Sequence, residues 1–95
     1  KKGLGSVSRG YLDARTNRLI AAFRYPGEIG FIGSLDLATG ELRKLSEIKG
    51  MMLYKVTSLA FDPDSRKAWY TEDNYAFRDI VEIDVDTGKK RTILK

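Results

Sequence analysis

Apolar and polar residues alternate along several short stretches of the chain. In the clearest, 79–85 (DIVEIDV), Val81, Ile83 and Val85 point to one face and the acidic residues between them to the other. A period of two residues indicates a strand with one buried face. Three further stretches are rich in strand-forming residues: 56–61 (VTSLAF), 67–72 (KAWYTE) and 90–94 (KRTIL). Residues 56–95 therefore predict a four-stranded antiparallel meander.

The connections between these strands contain turn-forming residues. Residues 62–66 (DPDSR) carry Pro, Asp and Ser at turn positions, and 86–89 (DTGK) predict a tight hairpin in which Gly88 takes a positive φ. Residues 72–79 (EDNYAFRD) are polar apart from an alanine and two aromatics, and they predict a long loop.

The first half of the chain repeats this pattern. Residues 18–23 (RLIAAF) correspond to 67–72, and Asp13 corresponds to Asp62. After one deleted residue, the hairpin residues Asp36, Thr39 and Gly40 correspond to Asp84, Thr87 and Gly88. Gly relieves the steric cost of a left-handed residue, and Asp and Thr accept hydrogen bonds from nearby backbone N–H groups, so all six are predicted to brace turns. The continuously apolar stretch 19–23 predicts a strand buried on both faces.

A period of about 48 residues with four short strands in each unit is typical of β-propeller blades. The sequence therefore predicts an all-β chain of two consecutive four-stranded antiparallel blades, a partial propeller. The first blade spans 1–48, a linker spans 49–55 and the second blade spans 56–95. Closed propellers have about 4 to 8 blades. The chain is then part of a longer protein, a subunit of a ring of several copies, or a sandwich of two sheets, and the first is favoured because stacked repeats bury a continuous core.

Composition narrows the function classes. The 95 residues suffice for one small domain, and the net charge of +4 comes partly from lysines and an arginine near the ends, with no basic stripe interleaved with aromatics. A nucleic-acid partner is not expected, and no apolar run is long enough for a membrane span. The chain has no Cys and no His, which excludes disulfides, thiolate metal sites and a Ser-His-Asp triad. It begins without Met, so we expect it to be processed or trimmed.

None of the candidate metal-binding, nucleotide-binding or catalytic patterns in the sequence has the residue spacing that its chemistry requires. The stretch 84–95 begins Asp-x-Asp but has glycine at position 5 and lysine at position 12 of the calcium-loop pattern. The glycines of 27–33 (GEIGFIG) match neither a dinucleotide fingerprint nor a Walker loop. No pair of carboxylates is favoured for glycoside chemistry. We expect no catalytic residue, no metal site and no cofactor in this chain.

Residues 59–88 (LAFDPDSRKAWYTEDNYAFRDIVEIDVDTG) resemble a TolB-type propeller repeat. Asp62-Pro63-Asp64 match the first signature of that family and Asp84 with Gly88 match the second. Ser65 replaces the usual glycine, Val81 replaces an aromatic, and the first copy keeps only the leading Asp of the first signature. Such repeats are shared by non-catalytic periplasmic binding proteins and by the propellers attached to serine peptidases. The resemblance implies a scaffold that presents loops to a partner, and an extracytoplasmic (periplasmic or secreted) location.

The loops between the second and third strands of each unit, 24–30 and 72–79, are the predicted contact surface. Aromatic and Arg side chains anchor protein interfaces, so the candidates for partner contact are Tyr25, Tyr75, Phe77 and Arg78. The alternative is that these aromatics pack over the blade edge.

The predicted function is a non-catalytic, TolB-like scaffold for protein–protein interaction, its partner being another protein or the remaining blades of the parent polypeptide. The alternative is a propeller appendage of a larger peptidase or hydrolase whose catalytic residues lie outside this chain. A third hypothesis is self-assembly into a ring whose axis binds a small molecule.

Overall fold

The computed structural model describes residues 6–7, 9–48, 58–74 and 77–94, and within these ranges all regular structure is β-strand. The predicted linker 49–55 and Tyr75 lie outside the described residues. The strands are β1 (Ser6–Val7), β2 (Tyr11–Asp13), β3 (Arg18–Arg24), β4 (Phe31–Asp36), β5 (Leu42–Glu47), β6 (Leu59–Asp62), β7 (Lys67–Asn74), β8 (Phe77–Asp84) and β9 (Lys90–Leu94).

The strands form two antiparallel sheets, each four strands wide. In the first sheet, β3 pairs with β1 and β2 along one edge and with β4 along the other, and β4 pairs with β5. The register on β3 shifts by one residue between β1 and β2, so these two form one interrupted strand. The second sheet is the meander β6-β7-β8-β9. The predictions of an all-β fold and of a four-stranded second unit are confirmed.

The predicted long loop at 72–79 is wrong. β7 continues to Asn74 and β8 begins at Phe77, with Asn74 paired to Phe77 in the ladder. The connection is therefore two residues long. Pairing satisfies the backbone N–H and C=O groups whatever the side chains are, so a polar stretch extends a hairpin when its partner strand is adjacent.

The two sheets repeat each other in detail. Each has a register shift at the same place, between Ile32 and Gly33 in β4 and between Ile80 and Val81 in β8. The central pairing is also equivalent, since Arg18 opposes Asp36 in the first sheet as Lys67 opposes Asp84 in the second. The correspondence drawn from sequence therefore holds strand by strand.

The main core lies between the two sheets. It contains side chains from β3 and β4 of the first sheet and from β7, β8 and the residue after β8 in the second: Ile20, Ala22, Ile32, Ala68, Tyr70, Val81, Ile83 and Val85. A second cluster, which we call the outer cluster, lies on the opposite face of the first sheet: Ala21, Phe23 and Phe31, with Leu19, Tyr25, Leu35 and Leu42 packed against them. Strand β3 is buried on both faces, as predicted.

The sheets pack head to tail. The first sheet contributes Ile20 to the core, but the corresponding residue Trp69 lies on the outer face of the second sheet. Conversely, Tyr70 of the second sheet is in the core, whereas the corresponding Ala21 is in the outer cluster. A sandwich with two-fold symmetry would bring the same face of both repeats together. Here, opposite faces of the repeat meet.

Candidate functional site

A polar network lies at one end of the contact between the sheets. The turns β2–β3 and β6–β7 and the ends of β4 and β8 meet there, around a cavity of about 240 Å³. The cavity is lined by Asp13, Thr16, Arg18, Ile20, Ser34, Arg43, Arg66, Val85 and Asp86. The sequence contains no histidine or cysteine, so carboxylates, guanidinium groups and hydroxyls are the polar groups here.

Arg66 is held at this end by an unusual backbone conformation. Its φ is 61°, and Asn17, its counterpart in the first repeat, has φ 56°. Asn tolerates this left-handed region, whereas a longer side chain is disfavoured there by about 1 kcal/mol or more. The amide of Val85 donates to the Arg66 carbonyl at 3.1 Å, just as the amide of Leu37 donates to Asn17. The turn therefore directs a strained arginine toward the first sheet.

The guanidinium of Arg66 joins the two sheets. It donates through Nη1 to Asp13 Oδ1 at 2.5 Å, and through Nε and Nη2 to the two carboxylate oxygens of Asp86 at 3.1 and 2.8 Å. Asp13 belongs to β2 of the first sheet and its other oxygen accepts from Thr16 at 2.6 Å. Asp13 and Arg66 are both buried. We call Asp13, Arg66 and Asp86 the ion-pair lock.

A second arginine crosses in the opposite direction. Arg43 of β5 donates through Nη2 to the carbonyl oxygens of Val85 and Asp86 at 3.1 and 3.0 Å. Arg18 stays within its own sheet, where it donates to the side chain and the carbonyl of Ser34 at 2.6 and 3.0 Å. The described contacts thus tie the first sheet to the second by charge-assisted bonds in both directions.

The lock residues stay charged at neutral pH. The hydrogen bond from Arg66 lowers the pKa of Asp13, against the opposing effect of burial, and it lowers the pKa of Asp86 in the same way. The hydrogen bonds to Asp86 and Asp13 raise the pKa of Arg66. Carboxylates held as acceptors with lowered pKa values are unsuited to donate protons. The ion-pair lock therefore provides electrostatic attraction between the two sheets.

The predicted turn residues of the first hairpin form a local hydrogen-bond set. The Oδ1 of Asp36 accepts from the amides of Ala38 and Thr39 at 2.8 and 3.1 Å, which lowers the pKa of Asp36. The hydroxyl of Thr39 accepts from the amide of Glu41 at 3.2 Å, and Gly40 has φ 80°.

The second hairpin has the same set of bonds. The Oδ1 of Asp84 accepts from the amides of Asp86 and Thr87 at 2.9 and 3.1 Å, and Thr87 accepts from the amide of Lys89 at 3.2 Å. Gly88 again has φ 80°. These residues order the backbone from which Asp86 reaches Arg66.

No protein-family model, curated protein or solved structure matches the chain. Among the described residues, no group of three or more acidic side chains is placed to hold a metal ion. No helix in that part of the chain is long and apolar enough to cross a membrane.

Three of the four predicted contact residues, Tyr25, Phe77 and Arg78, lie at the other end of the sheets. Tyr25 follows β3, is half-buried and stacks on Phe31 with ring centroids 6.0 Å apart. Phe77 and Arg78 are the first two residues of β8, directly after the equivalent connection of the second sheet. Their side chains lie outside the described part of the structure. As a contact site this group stays a prediction.

Sequence reasoning missed the ion-pair lock. One signal was available, because an arginine stands at position 66 where the first repeat has a turn-forming asparagine. The partner Asp13 lies in the other repeat, and no local pattern connects the two.

Proposed function

We propose that the two sheets are consecutive blades of a TolB-like β-propeller that serves as a non-catalytic scaffold for a protein partner. The head-to-tail packing carries this proposal. Blades around a propeller axis are related by rotation, so each contact joins opposite faces of neighbouring repeats. The described core has this property.

The edges of the sheets support the same arrangement. The hydroxyl of Tyr11, in the edge strand β2, donates to the carbonyl of Leu59 in the edge strand β6 at 2.7 Å. β2 and β6 are equivalent strands of the two repeats. If the axis of a propeller passes along the first strand of each blade, the equivalent edge strands of neighbouring blades must meet at that axis.

The distribution of polar contacts favours binding over chemistry. The buried charges of Asp13 and Arg66 pair with each other between the sheets, and the β3–β4 connection is largely exposed at the opposite end. Connections on a rigid β scaffold are where proteins place recognition residues. The proposed contacts for a protein surface are the aromatic residues and the arginine in or next to the β3–β4 and β7–β8 connections: Tyr25, Tyr75, Phe77 and Arg78.

The test immobilises the wild-type chain and its variants separately and compares which proteins each of them retains. One variant carries Tyr25→Ser and a second carries Phe77→Ser with Arg78→Ser. Arg15→Ser, an exposed cation in the β2–β3 turn at the opposite end, is the matched control. We expect a protein retained by wild type and control but lost from a loop variant, and calorimetry with that purified protein to reproduce the difference.

If every retained protein binds the loop variants as well as it binds wild type, the proposed contact surface is refuted. Far-UV circular dichroism of each variant shows whether the strands are intact.

A further inference from the structure

Apolar side chains on the outer face of the first sheet are exposed where their counterparts in the second sheet are buried or partly buried. Leu37 is 49% exposed, whereas its counterpart Val85 is 3% exposed. Leu12 is 57% exposed, whereas its counterpart Phe61 packs against the main core. The repeats have the same strand register, so the difference arises because the first sheet covers the second, while no described residue covers these two leucines.

The exposed leucines are continuous with the outer cluster. Leu12 opposes Leu19 in the β2–β3 ladder, and Leu35 and Leu42 oppose each other in the β4–β5 ladder. Leu19, Leu35 and Leu42 are only partly buried. The outer face therefore offers a continuous apolar surface of the kind that, in the second repeat, is one side of a core.

The repeat also specifies what fits this surface. The face that covers Val85 and Phe61 is the inner face of the first sheet. Its counterpart is the outer face of the second sheet, where Trp69 stands at the position of Ile20. Trp69 is half-buried and donates to Glu82 at 3.1 Å. This face carries a large apolar side chain at its centre.

The ion pair at the edge of each face is repeated. Arg18 and Asp36 are 3.4 Å apart on the inner face of the first sheet. Lys67 and Asp84, at the equivalent positions, are 3.5 Å apart on the outer face of the second. Both faces thus carry an ion pair at this end and a large apolar side chain, Ile20 or Trp69, two residues farther along the strand, although Glu82 stands opposite Trp69 where Ser34 stands opposite Ile20.

One of the cross-sheet contacts has a counterpart of the same chemistry. Arg43 donates to the Val85 carbonyl across the core. Its counterpart by strand register is Arg91, whose side chain is 71% exposed and donates through Nε to Glu82 of its own sheet at 2.9 Å. The counterpart of Val85 is Leu37. In a repeated contact, Arg91 of one copy reaches the Leu37 carbonyl of the next.

We propose that the chain assembles with itself head to tail, with the outer face of the second sheet of one copy packed on the outer face of the first sheet of the next. The occupant is a second copy because this chain itself presents the matching face and the contact continues the one already made between its own sheets. Such a contact is heterologous, so it forms a ring or an open stack. The proposal goes beyond the partner-binding function and does not depend on it.

The test uses lysine substitutions at exposed positions. Leu12→Lys with Leu37→Lys blocks the first outer face, and Ala60→Lys, opposite Trp69 in the ladder, blocks the second. Ile29→Lys is the matched control, since Ile29 is 46% exposed in the β3–β4 connection. Light scattering gives the mass over about a hundredfold range of concentration. We expect wild type and control to reach about twofold the monomer mass or more, and both blocked variants to stay monomeric.

Mixing the two blocked variants is the decisive step. Each keeps one intact face, so a head-to-tail contact predicts a dimer in the mixture although each variant alone is monomeric. A wild-type chain that stays monomeric throughout overturns the proposal without any variant. A mixture that stays monomeric, or a first-face variant that assembles like wild type, also overturns it. The single variants Leu12→Lys and Leu37→Lys replace the double variant if circular dichroism shows that it is unfolded.

Discussion

Replacing Asp13 by Asn tests whether the ion-pair lock holds the two sheets together. Asn has nearly the same size as Asp but carries no charge. Asp13 is 1% exposed and accepts from Arg66 and Thr16. The substitution leaves the buried guanidinium of Arg66 with Asp86 as its remaining carboxylate in the lock, and the Asp86 side chain is 52% exposed.

The magnitude follows from the burial of the pair. Removing one partner of a buried ion pair costs about 3 to 5 kcal/mol, because the other charge is left uncompensated. Asp86 keeps its two bonds to Arg66, so we expect the lower end, about 3 kcal/mol. Small domains have about 5 to 15 kcal/mol of total stability, so the loss is a large fraction of the whole.

Urea unfolding measures the free energy difference. Trp69, the single tryptophan, reports on the second sheet by fluorescence. The matched control is Asp62→Asn at the equivalent position. Asp62 accepts only local bonds among the described contacts, from the Asp64 amide at 3.2 Å and the Ser65 hydroxyl at 2.9 Å. We expect the control to lose about 1 kcal/mol or less.

A double-mutant cycle isolates the pair. Arg66→Asn removes the guanidinium and places at φ 61° the residue type that the first repeat has at the equivalent turn position. Relief of backbone strain then offsets part of the loss. The ion pair does not hold the sheets together if Asp13→Asn costs no more than Asp62→Asn, or if the coupling energy between Asp13 and Arg66 is below about 0.5 kcal/mol.

The pH dependence gives the same pair a second test. The hydrogen bond from Arg66 lowers the pKa of Asp13 in the folded state below its unfolded value, which is near 3.9. The stabilisation is therefore complete above the unfolded value and is lost as the pH falls through the folded pKa. The free energy gap between wild type and Asp13→Asn should be full at neutral pH and shrink below about pH 4. A gap that stays constant down to about pH 2 would mean that shape, not charge, causes the loss.

Two further sets of substitutions test the cores. A Cβ at Gly33 would lie 2.9 Å from a Phe23 ring carbon, so Gly33→Ala should lower the free energy of unfolding by about 1 to 3 kcal/mol in urea titrations. Gly30→Ala, whose Cβ would lie 3.6 Å from the nearest atom, should cost much less, and equal losses would contradict the packing argument. Tyr70→Phe removes the buried 2.8 Å bond to Ser46 and should lower the thermal midpoint by the equivalent of about 1 kcal/mol, as should Ser46→Ala. If the double variant loses as much stability as the two single variants together, the hydrogen bond between Tyr70 and Ser46 contributes nothing to stability.

The elements that sequence predicted well are those whose causes are local. The alternation in 79–85 placed β8, and the Asp-x-x-Thr-Gly pattern placed both hairpins, because a turn residue bonds to backbone within a few positions. The connection at 72–79 was mispredicted because strand pairing across it, not its polar composition, decided the backbone conformation. Asp13 and Arg66 were missed as a pair because they are distant in sequence and meet only after the sheets pack.

By itself, the sequence determined that this protein is built from two similar sets of antiparallel strands with the same turns. The alternation of apolar and polar residues and the hydrogen bonds of turn residues act over a few positions, so they can be recognised in the sequence without knowledge of the fold. Only the tertiary structure decided which face of each repeated strand became core. Leu37 and Val85 occupy the same position in the repeat, yet one is exposed and the other buried. The physical reason is that head-to-tail packing places opposite faces of the two repeats against each other. The contact between the sheets, and not the repeat pattern, therefore determines which side chains are buried.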